Sequence, residues 1–204
     1  MSAKKIVFID WYRTLSNSRM WGHLAQRPTL EKVCFVDLSK DATKWMRGEI
    51  STARMSELIG TRTCLSPRWI RQELIASVSN MSLVSPEIPA LVNNLRKSGK
   101  EVYIASDNME TFREYTIPSM KLDEHFDGFL ISNELGRLKM DFAGERILFF
   151  EEFLKQKGIK PTEAILLDDN IDTSGNYQKA GFEIHQIQQP ADLITALKEL
   201  AELA

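Results

Sequence analysis

The amino-acid sequence predicts an α/β fold, a doubly wound parallel sheet with a helical domain inserted after its first strand. Three observations predict it. Short apolar runs lack the in–out alternation of a one-sided sheet, so their strands are buried on both faces, as in parallel sheets. Helix-period stretches separate the later runs, which is the alternation of a doubly wound domain. The stretch between the first two runs is too long for a crossover connection and too apolar for a disordered loop.

In chain order, Ile6–Ile9 is the first strand. Residues 17–84 form the insert, with helices over Leu38–Met46, Thr52–Ile59 and Pro67–Val78, Ser51 and Ser66 as N-caps, and a single strand candidate, Val33–Val36. Glu87–Lys97 places Ile88, Leu91, Val92 and Leu95 on one helix face and stops at Gly99. Strands follow at Val102–Ala105 and Phe129–Ile131. Ala143–Lys157 reads as a helix with Ile147, Phe150, Phe153 and Leu154 inward, ending at Gly158. Ala164–Leu167 is the fourth strand and Phe182–Ile187 a weaker fifth. Ser174–Ala180 is a short helix between them, and Pro190 opens the last helix. Residues 1–16 and 85–204 thus make the core domain.

Composition narrows the function classes. Of 204 residues 43% are hydrophobic and 26% charged, which excludes intrinsic disorder. A net charge of -2 leaves no basic footprint for nucleic acid. The apolar run near the N-terminus meets Asp10 too soon for a signal peptide or a membrane span, so a cytoplasmic protein is expected. Cys34 and Cys64 are too few for a disulfide framework and read as small core or helix residues in a reducing compartment. His23, His125 and His185 lack metal-ligand spacing, and the 8 methionines form no run that marks an adaptable groove. Trp21, Trp45 and Trp69 fall in the insert at helical spacings and read as its core; Trp11 is placed to face a ligand.

In an open parallel sheet, ligands bind beyond the carboxyl ends of the strands. The residues there are Asp10-Trp11-Tyr12-Arg13-Thr14 after the first strand and Ser106-Asp107-Asn108 after the second. A loop carrying Lys139 follows the third strand, and Asp168-Asp169-Asn170 the fourth. An aspartate after a strand is commonly a turn former or helix cap, and a loop lysine is commonly solvated. The ordered set points to chemistry instead: a carboxylate nucleophile, an adjacent acidic pair suited to a hard cation, and a hydroxyl and ammonium suited to an anion.

This ordered set resembles the motifs of the haloacid dehalogenase superfamily, whose members hydrolyse substrates through an aspartate nucleophile. The resemblance covers nearly the whole chain and implies a Rossmann-like core with a helical cap, here 17–84, where Trp45-Met46-Arg47-Gly48-Glu49-Ile50-Ser51 has the expected character. It implies Asp10 as nucleophile, Thr14 ordering the loop after it, and Ser106 and Lys139 holding phosphate, with Asp107 and Asn108 beside them. It also implies a Mg2+ site made by Asp10, the Tyr12 carbonyl, Asp168 and Asp169, with a small phosphorylated metabolite as substrate and neither nucleic acid nor membrane as partner.

Tyr12 departs from the phosphatase pattern, which has an aspartate there as general acid and base. Positioned proton transfer is worth about 100- to 10,000-fold, and a phenol is a far weaker acid than a carboxyl group at neutral pH. The dehalogenases of the family carry Asp-x-Tyr, as in Asp10-Trp11-Tyr12, but they act without metal, lack the double aspartate, and need an arginine from the cap. Arg19, Arg27, Arg47, Arg54 and Arg62 are the candidates. Three readings remain: a magnesium-dependent phosphohydrolase, a 2-haloacid dehalogenase, and a catalytically impaired member that binds a phosphorylated ligand or a partner.

Overall fold

A computed structural model describes residues 4–202. Its strands are β1 (Ile6–Ile9), β2 (Glu101–Ser106), β3 (Gly128–Ile131), β4 (Phe142–Ala143), β5 (Arg146–Ile147), β6 (Ala164–Asp168) and β7 (Glu183–Gln186). Five of them form one parallel sheet in the order β3-β2-β1-β6-β7. The chain leaves β1 toward β2 and β3 on one side, then returns to β6 and β7 on the other. The switch point therefore lies between β1 and β6, where such sheets bind ligands.

Alternate residues of each strand point to opposite faces, and both faces are covered. Val7, Ile9, Val102, Ile104, Ile165 and Leu167 pack against α5 (Ile88–Lys97) and α8 (Pro190–Glu202). Ile6, Phe8, Tyr103, Ala105 and Leu166 pack against α6 (Leu148–Lys157), Tyr177 and Phe182. This double burial is why the strands are continuous apolar runs. β3 and β7 are the edge strands, and β7 is exposed or half-exposed along its length, which explains its weaker signal.

The segment between β1 and β2 holds α1 (Arg27–Lys32), α2 (Ser39–Met46), α3 (Thr52–Thr63) and α4 (Pro67–Val78) before α5. Its own apolar cluster centres on Trp21, Trp45, Leu30, Met55, Ile59, Ile70 and Leu74, with Trp69 at the margin. Ser51 Oγ accepts from the Arg54 N–H at 3.2 Å and Ser66 Oγ from the Trp69 N–H at 3.5 Å, so both caps are as the sequence predicts. Val33–Asp37 is not a strand. It continues from α1 as a π-helical stretch, because Val33 and Cys34 bury against the insert core and no strand lies beside them to pair.

Two further expectations are corrected. Ala143–Lys157 is not one helix: β4 and β5 form a two-residue-per-strand hairpin turning at Gly144, whose φ is +64°, and the helix begins at Leu148. Cys64 is neither core nor helix interior; it is exposed, in left-handed conformation at the end of α3, whereas Cys34 is buried.

Side-chain hydrogen bonds fasten the insert to the core. Ser132 Oγ donates to the Met46 carbonyl at 2.7 Å, Asn133 Nδ2 to the Trp45 carbonyl at 3.1 Å, and Arg47 pairs with Asp141 at 2.6 Å. Glu110, just after β2, accepts from Trp45 Nε1 and from the Thr52 N–H that opens α3. Gly48 is required here: a Cβ would lie 2.5 Å from the Asn133 carbonyl oxygen, and its φ is +72°.

Candidate active site

Backbone pairing delivers the first two carboxylates. Ile9 is level with Leu167 across β1 and β6, and the Asp10 N–H donates to the Leu167 carbonyl at 2.8 Å. Asp10, next along β1, therefore stands beside Asp168, the last residue of β6. Asp10, Asp168 and Asp169 each offer a carboxylate oxygen, all within 4.8 Å of one another.

Between them sits Lys139. Its Nζ lies 2.7 Å from Asp10 and 2.6 Å from Asp168, and all three side chains are at least nine-tenths buried. A loop lysine reaches this place because its backbone is clamped: the Lys139 N–H donates to Asp107 Oδ1 at 2.9 Å, and Tyr177 donates its hydroxyl proton to the Lys139 carbonyl at 2.7 Å. Burial works against the ammonium, but Asp10, Asp168 and Asp107 outweigh it and hold Lys139 above the usual lysine range. Burial raises Asp10 to about 7, assisted by Asp168 and opposed by Lys139. Burial, then Asp168, also raises Asp169, with Arg13 at 3.5 Å opposing.

The other predicted residues divide by place. Ser106 closes β2 and is buried, level with Ile131 at the end of β3. It is on the same rim, and among the described residues its side chain makes no hydrogen bond to the carboxylates. Asn108 Oδ1 accepts from the Met109 N–H, so this side chain shapes its own turn. Neither Asp168 nor Asp169 caps the helix that follows. Asp168 Oδ1 accepts from the Asn170 N–H in a local turn, and it is Asp172 that accepts from the Tyr177 N–H in α7 (Asn176–Lys179).

The turn after Asp10 is tight. Arg13 has φ +61°, and the Leu15 and Ser16 N–H groups both donate to the Trp11 carbonyl. Among the described residues no backbone hydrogen bond uses the Tyr12 carbonyl, which leaves it open to a cation. Trp11 Nε1 and Thr14 Oγ1, both in this turn, are buried and without a partner among the described residues. Hard oxygen donors in this number suit Mg2+, which binds through carboxylates, carbonyls and water.

Two cavities flank the cluster, and Asp107 lines both. One, of about 450 Å³, mixes acidic and apolar side chains and runs along Asp168–Thr173 beside Lys139 and Tyr177. The other, of about 580 Å³, lies between the Asp10 turn and the insert, with Trp11, Tyr12, Met20, Phe35 and Met109 in its wall. Trp11 does reach this cavity, although most of it is buried edge-on against Phe112 at 5.1 Å. Sequence reasoning missed the methionines: Met20, Met46, Met81 and Met109 meet at this one cavity. No local signal marks them, because each comes from a different loop or helix end.

Of the five arginines considered, Arg19 alone lines this cavity. Arg27 pairs with Glu31, Arg47 with Asp141, and Arg54 with Glu57. No helix of the described residues is long and apolar enough to cross a membrane.

Compared by sequence with family models and with characterised proteins, the chain matches none. Compared by structure, it is similar to a predicted HAD-like family hydrolase from Porphyromonas gingivalis, with TM-score 0.72 and 16% identity over 98% of each chain. It is similar to a HAD family enzyme from Bacteroides thetaiotaomicron in complex with magnesium and inorganic phosphate, with TM-score 0.66 and 18% identity over 90% of this chain and 93% of that one. It is also similar to the L-2-haloacid dehalogenase from Xanthobacter autotrophicus with chloropropionic acid covalently bound, with TM-score 0.62 and 14% identity over 90% of this chain and 77% of that one. The chain therefore has the fold of the haloacid dehalogenase superfamily, an α/β Rossmann-like core.

Proposed function

We infer that the protein is a magnesium-dependent phosphohydrolase with Asp10 as nucleophile, acting on a small phosphorylated molecule, with residues 17–84 as a cap. The observation that carries this reading is the buried cluster in which Lys139 bridges Asp10 and Asp168, with Asp169 alongside. Three carboxylates against one buried ammonium leave an excess of negative charge that a divalent cation offsets.

The Asp10 carboxylate attacks phosphorus. The new Oδ–P bond forms as the P–O ester bond breaks, giving an aspartyl phosphate and a leaving alkoxide. Water then cleaves the aspartyl phosphate, releasing inorganic phosphate and restoring the carboxylate. Lys139 holds Asp10 in place and faces the incoming anion with positive charge. Ser106, on the same rim, is the hydroxyl for a phosphoryl oxygen. A magnesium ion held by Asp10, Asp168, Asp169 and the Tyr12 carbonyl would neutralise phosphoryl charge. Tyr12 cannot protonate the leaving group as a carboxylic acid does, so activated aryl and acyl phosphates are the better substrates.

The dehalogenase reading is favoured by Asp10-Trp11-Tyr12. Against it stands the second aspartate at the end of β6; Arg19, the arginine at the cavity, shares Glu31 with Arg27, at 3.5 Å against 2.8 Å. Steady-state hydrolysis of p-nitrophenyl phosphate and of 2-chloropropionate, each with magnesium and with chelator, separates the readings. We expect phosphate release that needs magnesium and falls at least ~1000-fold in Asp10→Asn, as losing a nucleophile does. Chelator-insensitive halide release would instead make this a dehalogenase, and no turnover of either would leave a binding protein.

A further inference from the structure

The cavity of about 580 Å³ has a size typical of small-molecule sites. Its wall differs from what a sugar phosphate or a dicarboxylate requires. Four methionines meet there, Met20, Met46, Met81 and Met109, and methionine is a flexible, polarisable side chain that moulds to apolar and aromatic groups. Trp11, Tyr12, Pro28, Phe35 and Val36 add aromatic and aliphatic surface, and the polar side chains of the lining are Ser18, Arg19, Glu31, Lys32, Asp107 and Asn108.

Positive charge in the lining is confined to the rim. Arg19 and Lys32 are 50% and 68% exposed, 3.5 Å from Glu31 and 3.2 Å from Asp37, and Glu31 is shared with Arg27 at 2.8 Å. Among the lining residues no cation stands inward beside the methionines.

A second feature points the same way. Val33–Asp37 is π-helical, and π-turns concentrate at functional sites. Val33 and Cys34 face the insert core, while Phe35 and Val36 stand 39% and 65% exposed at the cavity. Two adjacent exposed apolar side chains facing a cavity beside a reactive carboxylate form a surface that an apolar ligand would cover.

We propose that the substrate carries an uncharged, apolar body, an alkyl or aryl group about the size of a hexyl or phenylethyl chain, which lies in this methionine-lined cavity while its phosphate meets Asp10. The proposal rests on the phosphohydrolase reading for the reaction and on the cavity alone for the shape and polarity of the body. Each methylene moved from water into an apolar site is worth about fourfold in binding. Four methylenes, discounted for imperfect fit, should give at least tenfold.

The test compares n-hexyl phosphate with ethyl phosphate, whose leaving alcohols are of similar acidity, so that leaving-group chemistry cancels. We expect kcat/KM at least ~10-fold higher for the hexyl ester. In Phe35→Asp, which sets a charge on an exposed wall position, the hexyl/ethyl ratio should fall at least ~5-fold, while the corresponding change at the other cavity, Ile171→Asp, should leave the ratio as it was.

Calorimetric titration with n-hexylphosphonate and ethylphosphonate, in magnesium, reads binding without turnover. Tighter binding of the hexyl compound by ~10-fold upholds the inference even if no ester is hydrolysed, in which case the phosphohydrolase reading alone fails. Equal binding of the two phosphonates, or binding of neither, overturns the inference, and so does a hexyl preference that Phe35→Asp leaves intact.

Discussion

The rim of the sheet and the helical insert meet at the same cavity but are held by different forces. At the rim, strand register places Asp10 beside Asp168, and a buried ammonium completes the arrangement. In the insert, apolar packing around Trp21 and Trp45 makes a separate core, joined to the core domain by hydrogen bonds that Ser132 and Asn133 donate and Glu110 and Asp141 accept. The difference teaches where each region is vulnerable. The rim depends on a balance of charge in a low dielectric, where removing one partner strands the others. The insert depends on many smaller contacts, each of which is replaceable.

The largest effect should come from Lys139→Met. It leaves Asp10 and Asp168 as buried like charges with no counter-ion, and breaking a buried pair this way costs about 3–5 kcal/mol. Urea unfolding in chelator measures it, and adding Asp168→Asn should recover part of the loss. A cost below about 1 kcal/mol would mean that the ammonium does not hold the strand ends together.

The insert should be less sensitive. Glu110→Ala removes the acceptor of both Trp45 Nε1 and the Thr52 N–H, which predicts a loss of about 1–3 kcal/mol. If Glu110→Ala cost as much as Lys139→Met, the contrast between the two regions would be wrong.

Tyr12 lies where the regions meet, 41% exposed in the cavity wall. On the phosphohydrolase reading, Tyr12→Asp supplies a general acid and should raise turnover of alkyl phosphates by at least ~10-fold, within the range of positioned proton transfer. The rate of a folded, magnesium-binding Tyr12→Asp variant checks this. A rate no higher than the parent's would show that the absent acid is not limiting.

The smallest effect concerns the thiols. Burial, then Glu31, pushes Cys34 up to about 12, whereas Cys64 is exposed. Because only the thiolate reacts, a disulfide reagent should titrate one thiol in the native protein and two in denaturant. Prompt reaction of both would show that the insert core opens readily.

Much of the fold is legible in the sequence. Continuous apolar strands announce a sheet covered on both faces, and the amphipathic period of Ile88–Lys97 announces the helix that covers one of them. The helix expected over Ala143–Lys157 starts late because Gly144 permits a hairpin whose pairing no periodicity records. The candidate site is half legible. Asp10, Asp168 and Asp169 follow strands in order, so their convergence follows from topology alone. That Lys139 is buried between two of them does not, because the clamp on its backbone comes from Asp107 and Tyr177, 32 and 38 residues away in sequence.

By itself, then, the sequence determined the layered α/β architecture and the order in which Asp10, Ser106, Lys139, Asp168 and Asp169 follow its strands, because those depend on the local period of apolar residues and on the order of the strands. The tertiary structure alone decided the ion pairs of Lys139, the pairing of Arg19 with Glu31 and the gathering of four methionines into one cavity. Those features arise between segments that are distant in sequence, and which side chains meet across such distances is settled by packing and desolvation rather than by any spacing along the chain.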